Sequence, residues 1–163
     1  MIKIKKIAHN IKLIASDIDG VWTDAKMHYT DRGEYMKSFS SYDGMAVSFL
    51  KELKIDVAIL TSENSQIVKR RAEKLNIKYV YINETEKLLR MKSLCNRLNI
   101  SLSNVAYIGD DVNDLDLLQK VGVSAMPLNS PILNLFNPDY ITKKMGGDGA
   151  FREFVDLIIQ YKK

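Results

Sequence analysis

Leu13-Ile14-Ala15-Ser16-Asp17-Ile18-Asp19-Gly20-Val21-Trp22-Thr23-Asp24 is the stretch on which the fold turns. A short apolar run of strand character ends in two carboxylates two residues apart. Side-chain direction along a strand has a period of two, so Asp17 and Asp19 point the same way. Their mutual repulsion is unfavourable unless a cation lies between or beside them. Gly20 lets the chain turn sharply and offers backbone N–H groups to an anion. Taken alone, the segment also reads as a loop with ordinary turn aspartates.

Further along, apolar runs of the same kind recur. Val57-Ala58-Ile59-Leu60 runs into Thr61, and Val105-Ala106-Tyr107-Ile108 runs into Gly109-Asp110. Lys78-Tyr79-Val80-Tyr81, Val123-Ser124-Ala125 and Tyr140-Ile141 are further candidate strands. Between them, residues 44–53, 65–75, 86–98 and 112–121 place apolar side chains three or four apart, and 149–161 reads as a final helix. Strand–helix alternation of this kind predicts an α/β fold, a Rossmann-like three-layer sandwich with a central parallel sheet. Residues 25–39 break the alternation. Thr30-Asp31-Arg32-Gly33 is a turn signal between two half-polar runs, which predicts a β-hairpin projecting from the sheet. No insertion is long enough for a cap domain, and residues 1–163 read as a single domain.

Composition narrows the function classes. Apolar residues make up 46% of the chain and charged ones 27%, as in a globular protein. The net charge of +4 is too mild, and too mixed with acids, to argue for nucleic acid. The single cysteine, Cys95, forms no internal disulfide and reads as a buried, inert thiol in an apolar stretch. With His9 and His28 it does not make a zinc site of the usual kind. No apolar run spans a bilayer, and the basic residues 1–12 lack an apolar signal core, so the expected location is the cytoplasm.

The chemistry gathers after the strands. Ligands of open α/β sheets bind beyond the carboxyl ends of the strands. Those ends carry Asp17 and Asp19, then Thr61 and Ser62, then Asp110, Asp111 and Asp114. Helix capping explains one or two of the last three acids, but not all three after a buried strand. Hard oxygen ligands in this pattern suit magnesium, which takes few protein carboxylates and keeps waters. The Thr61 hydroxyl, with free N–H groups at a helix start, suits a phosphate, although Asn64 or Ser65 also reads as a plain N-cap. Lys87, at the start of the third long helix, is an ordinary surface lysine on its own. Beside the other clusters it reads as a neutraliser of phosphate and nucleophile charge.

Asp17-x-Asp19, Thr61, Lys87 and Gly109-Asp110-Asp111-x-x-Asp114, in this order, resemble the haloacid dehalogenase superfamily of phosphohydrolases. Residues 17–24, Asp43-Gly44, Ile67-Val68-Lys69-Arg70-Arg71 and Gly146-Gly147-Asp148-Gly149-Ala150-Phe151-Arg152-Glu153 are similar to its capless branch, which dephosphorylates 3-deoxy-2-keto sugar acid phosphates. The resemblance implies that Asp17 is the nucleophile and Asp19 the general acid and base. It implies magnesium on Asp17, Asp19 and Asp110, oriented by Asp111 and Asp114. Thr61, Ser62, Lys87 and the N–H groups at Gly20 would bind phosphate. Ser62 stands where the branch usually has glycine. Glu63, Arg71 and Lys74 look more like the nine-carbon members, while the rest suits the eight-carbon ones, and both substrates stay open. Arg71, whose planar fork pairs with carboxylates, and Arg152 are the candidates for the substrate carboxylate. The branch forms homotetramers whose neighbouring subunits help shape each active site. Two other classes compete, a receiver-type signalling domain and a non-catalytic oligomerisation module, and a third alternative keeps the chemistry as a phosphatase for another small phosphate monoester.

Overall fold

The computed structural model describes residues 2–162. Its elements are α1 (Ile2–Ile7), β1 (Leu13–Ser16), β2 (His28–Thr30), β3 (Gly33–Met36), α2 (Ser41–Glu52), β4 (Asp56–Leu60), α3 (Gln66–Lys74) and β5 (Tyr79–Tyr81). There follow α4 (Lys87–Leu98), β6 (Val105–Ile108), α5 (Leu115–Leu118), β7 (Val123–Met126), β8 (Tyr140–Ile141) and α6 (Ala150–Lys162). Six strands form one parallel sheet in the order β5-β4-β1-β6-β7-β8. From β1 the chain builds outward to one side through β4 and β5, then returns to β6 on the other. The sheet therefore reverses direction at β1, where such sheets open a crevice. Ser16 pairs level with Ile59 and Ile108, so Asp17, Thr61 and Asp110 emerge together at one edge.

Both faces of the sheet are covered, as buried parallel strands require. On one face Ile14, Ile59 and Ile108 pack with Ile4 of α1, Leu50 of α2, Val68 of α3, and Phe154 and Ile158 of α6. On the other, Leu13, Ala15 and Tyr107 pack with Met91 and Leu94 of α4 and Leu117 of α5. Full burial of such side chains is worth about 1.5–3 kcal/mol each. Cys95 lies in this second core, where burial raises its thiol pKa above the ordinary value. No helix among the described residues is long and apolar enough to cross a membrane.

β2 and β3 form the expected antiparallel hairpin, a separate sheet with an irregularity at His28/Tyr29. Two elements depart from the sequence reading. α1 was not foreseen: Ile4, Ala8 and Ile11 keep a helical spacing and are all buried, but lysines between them mask the pattern. The helix expected over 112–121 is instead a 3-10 turn, Val112–Asp114, and the single turn of α5. Asp114 bends its carboxylate back onto the N–H groups of Asp110 and Asp111. At the other end Gly122 stops the helix. Its N–H donates to the Leu102 carbonyl, and a Cβ there would lie 2.1 Å from the Ser103 carbonyl oxygen.

Trp22 ties the decisive loop to the last helix. Its indole stacks on Phe151, with centroids 4.5 Å apart, and its Nε1–H donates to Ser16 Oγ at 3.0 Å. Phe151→Ala leaves a fully buried void beside Trp22. It is expected to cost about 3–5 kcal/mol of unfolding free energy, read from a denaturant titration.

Candidate active site

The cleft at the carboxyl edge is lined by Asp17, Asp19, Thr61, Ser62, Glu63, Asp110, Asp111 and Asn113, with Ala25, Met27 and Val112, and encloses about 230 Å³. Carboxylate oxygens of Asp17, Asp110 and Asp114 lie within 4.8 Å of one another, and all three residues are buried. Lys87 is buried among them. Its Nζ donates to Asp114 Oδ1 at 2.7 Å and pairs with Asp17 Oδ2 at 2.8 Å.

Asp114 has no oxygen to spare. Its Oδ1 also accepts from the Tyr107 hydroxyl, and its Oδ2 accepts from the Asp110 and Asp111 N–H groups. It is a brace. Asp110 is the opposite case. Its Oδ1 is buried without a hydrogen-bond partner among the described residues. Its main-chain carbonyl accepts from Ser130 Oγ at 2.5 Å, which fixes the residue. Asp17 accepts the Ile18 N–H on Oδ1 at 2.7 Å. Asp17 and Asp110 therefore present hard oxygens that the protein leaves only partly satisfied, a donor set that fits a small divalent cation. Gly20 allows their approach. Its φ is +87°, and a Cβ there would fall 1.9 Å from Asp110 Oδ2.

The haloacid dehalogenase-like hydrolase family matches residues 34–122. The 3-deoxy-D-manno-octulosonate 8-phosphate phosphatase of Haemophilus influenzae is 37% identical, over 93% of this chain and 84% of that protein. The chain belongs to the haloacid dehalogenase-like hydrolases. A crystal structure of the phosphatase of the same name from Moraxella catarrhalis, in complex with magnesium ion, phosphate ion and KDO, superposes with a TM-score of 0.94. It is 37% identical and covers 99% of this chain and 92% of that one. The cobalt-bound form of the Haemophilus influenzae enzyme gives a TM-score of 0.90 at 36% identity, with 95% and 91% covered.

Around this hydrolase cleft the other expected residues divide into two groups. Thr61 is buried at the end of β4, and its Oγ1 accepts from the Glu63 N–H at 3.4 Å. The Ser62 hydroxyl donates to the Glu84 carbonyl at 3.3 Å and accepts from Asn113 Nδ2 at 3.0 Å. Ser62 thus latches the loop after β4 to the loop after β6, and its hydroxyl is already occupied. Asp111 accepts the Val112 N–H at 2.7 Å and starts the 3-10 turn. Glu63 is exposed at the cleft wall.

Arg71, Lys74 and Arg152 are not brought to the cleft within one chain. Arg71 donates to the Ser40 carbonyl at 3.3 Å and lies over the Phe39 ring. Lys74 closes the last turn of α3, a helix that starts at the cleft edge and runs away from it. The Arg152 guanidinium pairs with Asp156 at 2.8 Å and covers Phe49, while the Arg152 main-chain N–H donates to Asp43 Oδ1 at 2.8 Å. These are helix contacts, made because both partners lie on the α2–α6 face.

Two residues escaped the sequence reading. Tyr107 looked like one more strand side chain, yet its hydroxyl braces Asp114. Lys37, in the hairpin's return limb, is wholly buried at its side chain and donates to Asp19 Oδ1 at 2.6 Å. Nothing in its local sequence sets it apart from the exposed lysines.

The electrostatics follow from burial. Desolvation first, and then Asp114, push the Asp17 carboxyl up to about 7, against the pull of Lys87. Desolvation and then Asp17 push Asp110 up to about 8. Burial disfavours the Lys87 ammonium, but Asp17 and Asp114 outweigh it and hold the pKa above its ordinary value. Protons and cations therefore compete for Asp17 and Asp110. Divalent-cation affinity is expected to weaken as pH falls through about 8 and then about 7, with protons released on binding. Titration calorimetry at pH 6 and pH 8.5 in buffers of different ionisation enthalpy measures both. Equal affinity at the two pH values would contradict this origin of the shifts.

Proposed function

We propose that this chain is a magnesium-dependent phosphatase acting on 3-deoxy-D-manno-octulosonate 8-phosphate through an aspartyl-phosphate on Asp17. The observation that carries the reading is the pairing of Asp17, held by Lys87 and the Ile18 N–H, with the unpartnered oxygen of Asp110. The relatives supply the substrate class, since the similar enzymes of Haemophilus influenzae and Moraxella catarrhalis carry that name.

The side chains of Asp17 and Asp110 and the Asp19 carbonyl would hold magnesium. When bound, the ion supplies Lewis-acid neutralisation of phosphoryl charge. Asp17 attacks phosphorus in line with the sugar oxygen, dividing one difficult hydrolysis into two easier steps. Asp19 gives its proton to the departing sugar oxygen, then takes one from the water that attacks the aspartyl-phosphate. Lys87 offsets the charge of the nucleophile. Thr61, the N–H groups at Gly20 and Ser62, and Lys87 cradle the phosphoryl oxygens. Asp111 and Asp114 hold the Asp110 loop. Glu63, at the cleft wall, reaches the sugar.

Since Arg71, Lys74 and Arg152 lie away from their own cleft, their role on substrate requires a neighbouring copy. A homotetramer, as in the resembling branch, would supply it. The eight-carbon acid takes precedence over the nine-carbon one because the similar curated proteins act on the former.

A phosphate-release screen with magnesium tests the substrate. Fastest turnover is expected with the eight-carbon keto-acid phosphate, slower turnover with the nine-carbon analogue, and little with hexose phosphates. Equal rates on hexose phosphates would reject this specificity. Asp17→Asn is expected to abolish turnover with an unchanged circular dichroism spectrum. Sustained turnover in that variant would remove Asp17 as nucleophile.

A further inference from the structure

The hairpin makes one charged contact with the cleft that the proposed reaction has not used. Lys37 follows β3, and its side chain is fully buried. Its Nζ donates to Asp19 Oδ1 at 2.6 Å and pairs with Glu34 Oε1 at 2.8 Å. The other oxygen of Glu34 accepts from the hydroxyl of Ser65, the residue that caps α3. The polar chain therefore runs from α3 through both ends of one hairpin strand to Asp19.

Asp19 is held asymmetrically. Its Oδ1 accepts from Lys37 and, at 3.1 Å, from the Thr23 hydroxyl. Its Oδ2 is buried with no partner among the described residues. Two donors occupy Oδ1, which leaves Oδ2 as the oxygen open to a further hydrogen bond. A buried lysine with two anionic partners is also far more fixed in position than a surface one. Pairing of this kind keeps both side chains in one rotamer, because breaking it leaves uncompensated buried charge.

We propose that Lys37 is a positioning residue for Asp19, fixing it so that Oδ2 is the oxygen that delivers the proton to the leaving group. This rests on the reading of Asp19 as general acid. In the step concerned, an Asp17 oxygen bonds to phosphorus as the phosphorus–sugar oxygen bond breaks. The Asp19 Oδ2 proton passes to the sugar oxygen, leaving a neutral alcohol and the Asp19 carboxylate. Lys37 donates no proton. It touches neither phosphorus nor the leaving oxygen, and acts by holding Oδ1.

The chemistry of the leaving group separates this role from simple bracing of the hairpin. A sugar alkoxide needs a proton as it departs, whereas p-nitrophenolate does not. Single-turnover release of the leaving group reads this first step alone, before water attacks. A positioned acid contributes roughly 10²–10⁴-fold, and loosening it is expected to cost about 10- to 100-fold. Lys37→Met is expected to slow release from the sugar acid phosphate by that factor, and release from p-nitrophenyl phosphate by less than about three-fold. Lys37→Arg, which keeps a donor toward Oδ1, is expected to recover most of the loss. Lys37→Gln serves as the second variant, should removal of the charge pair prevent Lys37→Met from folding. Equal slowing on both substrates, or none on either, would overturn the proposal in favour of a plain tether. Asp19→Asn is the reference. If it selectively slows the sugar substrate and Lys37→Met does not, the role of Lys37 falls and that of Asp19 stands. If Asp19→Asn shows no such selectivity, the general-acid reading falls and takes the proposal with it.

Discussion

Three carboxylates and one ammonium are buried together at the ends of β1 and β6, and this imbalance of charge constrains what surrounds it. Burying an unpaired ion costs several kcal/mol, so each charge must find a partner or carry a proton. Asp114 resolves its own case with four donors, two of them backbone. Lys87 is shared with Asp17, which leaves Asp110 with an unanswered oxygen. The raised pKa values of Asp17 and Asp110 come first from burial and then from the neighbouring carboxylates. A protein selected for stability alone would replace such a cluster with apolar side chains. Placed at the cleft edge, the cluster is a donor set that suits a divalent cation.

The scaffold supplies the precision that such a cluster needs. Asp17 and Asp110 follow adjacent parallel strands in register, so their separation is set by main-chain hydrogen bonds. Lys87 arrives from the first turn of α4, across the sheet from α2 and α6. Asp114 reaches back from a 3-10 turn that its own carboxylate stabilises. Small residues close the remaining distances. Beyond Gly20, a Cβ on Gly109 would lie 2.5 Å from the Asp114 carboxyl carbon, so the braces fit only because side chains are missing there. Gly146 packs on the Gly20 carbonyl in the same way, which joins the C-terminal loop to the loop after β1.

How much of this was legible depends on whether the signal was local. The strands were legible because buried parallel strands read as continuous apolar runs, and each was bounded by polar residues. Asp17, Asp19 and Asp110 were legible because they follow those runs directly. Lys87 was visible only beside the other clusters, since an amphipathic helix places many lysines in equivalent local contexts. Tyr107 and Lys37 were not legible. Tyr107 alternates correctly for a core strand, and its hydroxyl matters only because Asp114 folds back toward it. Lys37 sits in the return limb of a hairpin, and only tertiary closure of that hairpin buries it. α5 was overestimated for a related reason. Its periodicity was helical, but a carboxylate at one end and a close backbone contact at the other decided its length.

The hairpin then acquires a meaning that its exposed tyrosines do not suggest. Tyr29 and Tyr35 face outward, yet the same hairpin ends on Asp19 through Lys37 and on α3 through Glu34. Among the described residues no cap domain covers the cleft. A two-stranded hairpin has little stability alone and depends on what it packs against. Here its anchors are one ion pair to Asp19 and one hydrogen bond from the Ser65 hydroxyl of the α3 cap. Anything that displaces the hairpin must therefore also disturb Asp19, and anything that seats it firmly holds Asp19 in place. In a capless hydrolase, that coupling ties the position of the hairpin directly to a carboxylate at the cleft.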